Sequence, residues 1–117
     1  MPAKERASIL GSVPRLSAER LEEMLDEATV DCYNEDEQVT GILTMLEEHL
    51  DLPFTTTVLG VDVTVERVEL SGSGTIVAIC RRRRQRQRVP LLDLPLPAPK
   101  PVGAEWIDAY RRWAKGK

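Results

Sequence analysis

Eight consecutive residues, Asp31 to Gln38 (DCYNEDEQ), concentrate oxygen ligands in one short stretch of the chain. Four carboxylates and one Asn amide lie there, and no Lys or Arg accompanies them. Carboxylate and amide oxygens are the donors that Ca²⁺ and Mg²⁺ prefer in proteins. The stretch is therefore a candidate site for a divalent cation, either Ca²⁺ or Mg²⁺ as its competitor, and the candidate ligands are Asp31, Asn34, Glu35, Asp36 and Glu37.

Helix capping explains part of the same stretch without a metal. Asn34 is a suitable N-cap, and Glu37 follows three residues later, as in a capping box. Acids in the first turn of a helix are favoured by roughly 0.3–1 kcal/mol each. At separations of about 6 Å, each like-charged pair costs roughly 0.7–3 kcal/mol before salt screening. Because these effects are comparable, a helix start and a cation site are both open interpretations.

The EF-hand template does not fit this stretch. Counted from Asp31, the required glycine at position 6 is Asp36, and the required glutamate at position 12 is Ile42. A calcium site here would therefore take its ligands from a corner between two helices.

A second cluster, Arg81–Arg88 (RRRRQRQR), holds six arginines and no acid. Arginines in such a run can contact phosphates, which predicts a nucleic acid or another anionic partner as the alternative function. No aromatic residue is interleaved for base stacking, which weakens this prediction for single strands. Two further interpretations stay open: a charged strand edge that deters edge-to-edge pairing, and pairing of some arginines with the acidic half of the chain.

The residues that usually perform catalysis have structural explanations here. His49 falls near the end of a predicted helix, where it favours the helix dipole. Cys32 lies on an apolar helical stripe and Cys80 ends an apolar strand, so both thiols are expected to be buried, free and inert. We therefore expect no enzyme activity.

Length and composition indicate one domain. The chain has 117 residues, 42% of them hydrophobic, and a net charge of −3. That charge is unevenly placed, because residues 19–51 hold twelve acids and one base. Without a membrane-length apolar run or a secretory signal, the sequence predicts a cytoplasmic protein that makes no membrane contact. We expect a mobile arm over residues 1–15 and a single calcium-binding domain over residues 16–117.

The hydrophobic periodicity changes once along the chain. Up to Pro53 it has the helical period and predicts two helices, capped by Ser17 and Asn34, in which Gly41 allows close packing. From Phe54 to about Leu94 it has the strand period, and a slip in parity predicts a bulge near Glu66 and Arg67.

The last part of this strand-period region, "VPLLDLPL", predicts one more extended segment, and the aromatic residues after it predict a last helix. The predicted fold class is α+β. Its elements are an N-terminal helical hairpin, a small SH3-like antiparallel β-barrel or twisted sheet, and a C-terminal helix.

Several short motifs occur together in a specific order. They are Asp31-x-Tyr33, "EDEQ", Gly41, "LEE", "LPF", "VDVTVERVEL", "VPLLDL" and "GAEWIDAYRRW". In this order the chain resembles the CcbP-like family of small bacterial calcium-binding proteins, over roughly residues 20–113. The dense arginine run and the Pro-rich connector before the last helix depart from that family.

The resemblance implies a non-EF-hand calcium site in a cytoplasmic buffer or sensor. It assigns the ligand role to Asp31, Glu35, Asp36 and Glu37. It also suggests a second, weaker site, either at Glu47, Glu48 and Asp51 or at acids of the last helix.

Overall fold

The computed structural model describes residues 17–116 of the chain. The predicted arm, residues 1–15, lies outside this range. Within it, two helices come first, a four-stranded sheet follows, and a third helix ends the chain. The elements are α1 (Ala18–Ala28), α2 (Glu35–His49), β1 (Phe54–Val58), β2 (Val61–Leu70), β3 (Ile76–Arg82), β4 (Gln85–Pro90), a 3-10 turn (Leu91–Asp93) and α3 (Glu105–Lys115).

The sheet is an antiparallel meander with the strand order β1-β2-β3-β4. Its pairings within residues 17–116 join β1 to β2, β2 to β3 and β3 to β4, so β1 and β4 are edge strands and the sheet is open. The predicted α+β class is confirmed, and of the two predicted arrangements the structure has the antiparallel sheet rather than a closed SH3-like barrel. The helices cover one face of the sheet, so the core is completed by two packed layers rather than by closure of the sheet on itself.

A β-bulge interrupts β2 where the change in parity predicted it. Val65 lies opposite Cys80, and Arg67 lies opposite Ile79, which leaves Glu66 as the extra residue. The bulge turns Val65 and Val68 towards the same core, where they are 0% and 3% exposed. The extra residue is thereby released from the ladder.

The helical hairpin begins as the capping residues predict. Ser17 Oγ accepts from the Arg20 backbone N–H at 3.1 Å, and Asn34 Oδ1 accepts from the Glu37 backbone N–H at 2.9 Å. The apolar stripes of α1 and α2 supply much of the core, with Met24, Leu25, Ala28, Val39, Ile42 and Leu46 all buried.

Helix α3 joins both layers. Its Tyr110 hydroxyl accepts from the Ile76 backbone N–H at 3.1 Å, and its Trp113 indole N–H donates to Gln38 Oε1 at 2.9 Å. Tyr110 and Ile107 are 1% and 0% exposed. The predicted last helix therefore packs on both the sheet and the hairpin. Within residues 17–116, no helix combines the length and apolar composition needed to cross a bilayer.

The segment after β4 differs from its predicted extended form. Leu91–Asp93 is a 3-10 turn, and Leu91 is fully buried. The Arg111 guanidinium donates to the carbonyl oxygens of Leu91 and Leu94 at 3.1 and 2.6 Å. A side chain from α3, distant in sequence, thus stabilises the turn, which strand periodicity could not indicate.

Gly41 provides a test of the hairpin packing. A Cβ at this position would overlap the backbone carbonyl oxygen of Ala28. Gly→Ala inside a helix normally stabilises by about 1 kcal/mol, but here the two helices must separate. We expect Gly41→Ala to destabilise the protein by about 1–3 kcal/mol in chemical denaturation.

The matched control for this substitution is Gly72→Ala, because no atom lies within 4 Å of a Cβ built there. The control should leave stability unchanged within about 0.5 kcal/mol or raise it slightly. Equal losses in the two variants would contradict the proposed close contact between α1 and α2.

Candidate functional site

The predicted metal ligands lie at the connection between α1 and α2. We call Asp31, Asn34, Glu35, Asp36 and Glu37 the acidic corner. All five residues are exposed. The end of α1 is closed by the Thr29 hydroxyl and backbone N–H, which both donate to the Leu25 carbonyl oxygen at 2.7 and 2.9 Å. Asp31 follows with a left-handed φ of 64°, a conformation that Asp and Asn tolerate better than most residues.

Two members of the acidic corner are engaged in capping. Asn34 receives the Glu37 backbone N–H, as predicted. The Glu37 carboxylate accepts from the Tyr33 backbone N–H at 2.6 Å, one residue before the position that a regular capping box would use. Asn34 and Glu37 therefore cap the N-terminus of α2 with their side chains.

The corner does not present a preassembled metal cage. Across residues 17–116, no three His, Cys, Asp or Glu side chains are grouped closely enough to hold an ion. The structure brings Asn34 and Glu37 into contact, but it does not gather the other carboxylates around a common point with them. Calcium binding therefore stays a prediction for these residues.

Three carboxylates of the corner have no cationic partner in the described part of the chain. No Lys or Arg among residues 17–116 forms an ion pair with Asp31, Asp36 or Glu37. The ion pairs that α1 forms with other described residues join Glu22 to Arg112 and Glu23 to Arg20. These ion pairs do not involve the three carboxylates.

The predicted cationic cluster forms a β-hairpin, which we call the arginine hairpin (Arg81–Arg88). Strand β3 ends at Arg82, the turn consists of Arg83 and Arg84, and β4 begins at Gln85, the partner of Arg82. Since β4 is an edge strand, the interpretation of the run as a charged strand edge is confirmed.

Three of the six arginines are paired with carboxylates of β2. Glu66, released by the bulge, accepts from Arg81 Nε at 2.7 Å and from Arg86 Nε at 2.8 Å. Glu69 lies 3.7 Å from Arg88 and accepts from Arg67 Nε at 2.6 Å. The arginines therefore pair within the sheet rather than with the acidic half of the chain.

These contacts change the acidity of both glutamates. Hydrogen bonds from Arg86 and then Arg81 hold the pKa of Glu66 below its ordinary value of 4.5. The hydrogen bond from Arg67 lowers the pKa of Glu69 in the same way. The Glu66 carboxylate reciprocally raises the pKa of Arg86. The arginine contacts thus favour the ionised form of both glutamates, which offset part of the positive charge of the hairpin.

The remaining arginines, Arg82, Arg83 and Arg84, are exposed at the tip of the hairpin. Within residues 17–116 no carboxylate pairs with them. The predicted binding of nucleic acid through Arg81–Arg88 stays a prediction, and it narrows to these three side chains.

His49 and the cysteines take structural positions. The His49 ring stacks on Trp106 with centroids 5.7 Å apart. Cys80 is 4% exposed, and burial raises the pKa of its thiol. Cys32 is half-buried and donates to the Glu37 carbonyl oxygen at 3.4 Å. Both thiols are free, as predicted.

Sequence reasoning missed the role of Glu66. The signal for it was present, because an acid at a predicted bulge faces away from the core and can reach a neighbouring strand.

Comparisons with protein-family models, curated proteins and solved structures found no match.

Glu66 makes the stability of the sheet depend on pH. A carboxyl with a lowered folded-state pKa contributes stability above its unfolded pKa and loses it as the pH falls through the folded value. We expect Glu66→Gln to lower the melting temperature at neutral pH, and the difference from wild type to shrink progressively below about pH 4.5.

Glu47→Gln is the control, because Glu47 is exposed on α2 and has no ion pair within residues 17–116. Its difference from wild type should be small at neutral pH. A Glu66→Gln deficit that stays constant down to pH 2 would show that the ionised carboxylate of Glu66 is not the source of the stabilisation.

Proposed function

We propose that the protein is a non-catalytic, cytoplasmic calcium-binding protein, a buffer or sensor, and that the acidic corner holds the ion. The observation that carries this proposal is the negative charge of Asp31 and Asp36 at the exposed corner. Three side chains of the arginine hairpin pair with Glu66 and Glu69. Asp31 and Asp36 form no ion pair within residues 17–116.

The division of roles within the corner follows from its hydrogen bonds. Asn34 and Glu37 are held by the helix cap. Asp31 and Asp36, which form no ion pair within residues 17–116, are the carboxylates that would turn towards the ion, and the resemblance adds Glu35 to them. Repulsion among them favours the bound state, because a divalent cation removes it. The resemblance of the chain to CcbP-like proteins points to the same residues.

Ca²⁺ suits this corner better than Mg²⁺. Ca²⁺ accepts six to eight oxygen ligands in flexible geometry, and water can complete the set. Mg²⁺ requires near-ideal octahedral geometry and gives up its water reluctantly. Since no three acidic side chains of residues 17–116 are grouped in advance, the ion must tolerate ligands that adjust on binding.

Calcium should stabilise the folded protein by mass action. At one hundred times the dissociation constant the gain is about 2.7 kcal/mol, a rise of several degrees in melting temperature that chelator reverses. The variant Asp31→Asn/Asp36→Asn should lose this response. Asn also tolerates the left-handed backbone at residue 31, so the change removes charge while keeping the local conformation. Differential scanning fluorimetry and calorimetry measure both effects.

The control variant, Asp26→Asn/Asp93→Asn, removes the same charge from two exposed sites outside the corner. It should keep the full calcium response. An unchanged wild-type melt at millimolar Ca²⁺ and low salt would overturn the proposal. A response lost equally in both variants would indicate only diffuse attraction of the cation.

A further inference from the structure

The helix-facing side of the sheet carries an open groove near the turn between β1 and β2. Its volume is about 580 Å³, within the range of ligand and peptide sites. Valines from three strands form its floor together with the buried Cys80 thiol. These valines are Val58, Val61, Val63 and Val89.

The register explains why these side chains share one face. Val58 lies opposite Val61, and Cys80 lies opposite Gln87. Val63 precedes the core residue Val65 by two positions and therefore points to the same side. Val58, Val63 and Val89 are half-buried against the core, so the groove extends the core towards solvent.

The rim of the groove is cationic. Arg82 and Gln85 line its mouth, and the same two residues, with Arg83 and Arg84, line a second concavity of about 440 Å³. The three arginines are those that lack a carboxylate partner within residues 17–116. An apolar floor beside unpaired arginines suits an occupant with both aliphatic or aromatic side chains and carboxylates.

Protein chemistry fits this combination better than nucleic acid. The residues lining the groove include no aromatic side chain for base stacking. Its valine floor would stay uncovered beneath a phosphate backbone. The charges at the rim favour an acidic protein segment that carries exposed apolar side chains.

The chain itself presents such a segment. The connection between α1 and α2 exposes Val30 and Tyr33, at 67% and 89%. They flank Asp31 and precede Asp36, which receive no ion pair from residues 17–116. The segment Val30–Asp36 thus combines apolar side chains that match the valine floor with carboxylates that match the arginine rim.

We propose that the groove of one molecule receives the Val30–Asp36 segment of a second copy of the chain. Within one molecule, no ion pair of the described residues joins the arginine tip to this segment. The N-terminal residues 1–16 are a poorer occupant by charge, because Lys4, Arg6 and Arg15 outnumber Glu5. The contact joins two different surfaces, so association proceeds head to tail and continues beyond the dimer unless a ring closes.

Sedimentation velocity and light scattering test this proposal on the full chain. Chelator is present throughout, so the outcome does not depend on calcium binding. We expect the weight-average mass to rise above the monomer value of 13.1 kDa between micromolar and millimolar protein at low salt. The rise should disappear at about 1 M NaCl, where charges are screened beyond about 3 Å.

Two variants separate the surfaces. Arg82→Ser/Arg84→Ser removes two positive charges from the rim of the groove. Tyr33→Ser/Asp36→Asn removes the aromatic ring and one negative charge from the inserted segment. Each variant alone should stay monomeric. An equimolar mixture retains one intact contact, so it should reach twice the monomer mass and stop there. Circular dichroism melts of both variants confirm that each is folded, since all four side chains are exposed.

Four results would overturn the proposal. One is a wild-type chain that stays monomeric at millimolar concentration and low salt. Another is a mixture of the two variants that fails to associate. A third is a wild-type monomer that shifts labelled RNA or DNA through Arg82 and Arg84, which assigns the rim to nucleic acid. The fourth is association that appears only in Ile9→Ser/Leu10→Ser, which assigns the groove to the N-terminal residues.

Discussion

The extra residue in β2 determines how charge and apolar surface are distributed over the sheet. Without it, Val65 and Val68 would fall on opposite faces, because strand side chains alternate. With it, both are buried in one core and Glu66 is released towards Arg81 and Arg86. The bulge thus places both valines in the helix-facing layer, and it lets Glu66 pair with two arginines of the hairpin. It also determines which arginines of the hairpin find no carboxylate partner among residues 17–116.

The local features of this fold were predictable because their causes are local. Ser17 and Asn34 cap their helices through bonds within three residues, and the bulge follows from a change in parity inside one strand. Gly41 marks the close approach of two helices that are neighbours in sequence. The open sheet and the turn at Leu91 were not predictable in this way. They depend on α3, which packs on both layers and sends Arg111 to two distant carbonyl oxygens.

The candidate site likewise has features that were predictable from local sequence and features that depend on distant contacts. Composition identified both charged clusters, and capping rules identified which acids start α2. Pairing across the sheet could not be inferred, because Glu66 and Arg81 meet only through the β2–β3 register. The groove was equally hidden, since its valines come from three strands and its rim from a turn. Its exposed counterpart, Tyr33, has no local signal that distinguishes it from a core aromatic residue.

The two proposals meet at the acidic corner and constrain each other. A cation held by Asp31 and Asp36 would neutralise the charge that draws this corner towards the arginine tip of another molecule. Binding linkage is reciprocal, so the factor by which calcium weakens self-association must equal the factor by which self-association weakens calcium binding. Charge separated within one small domain would thus serve as a calcium-sensitive control of assembly. Arg82 and Arg84 set the strength of that coupling, because they determine how much of the association depends on the corner's charge.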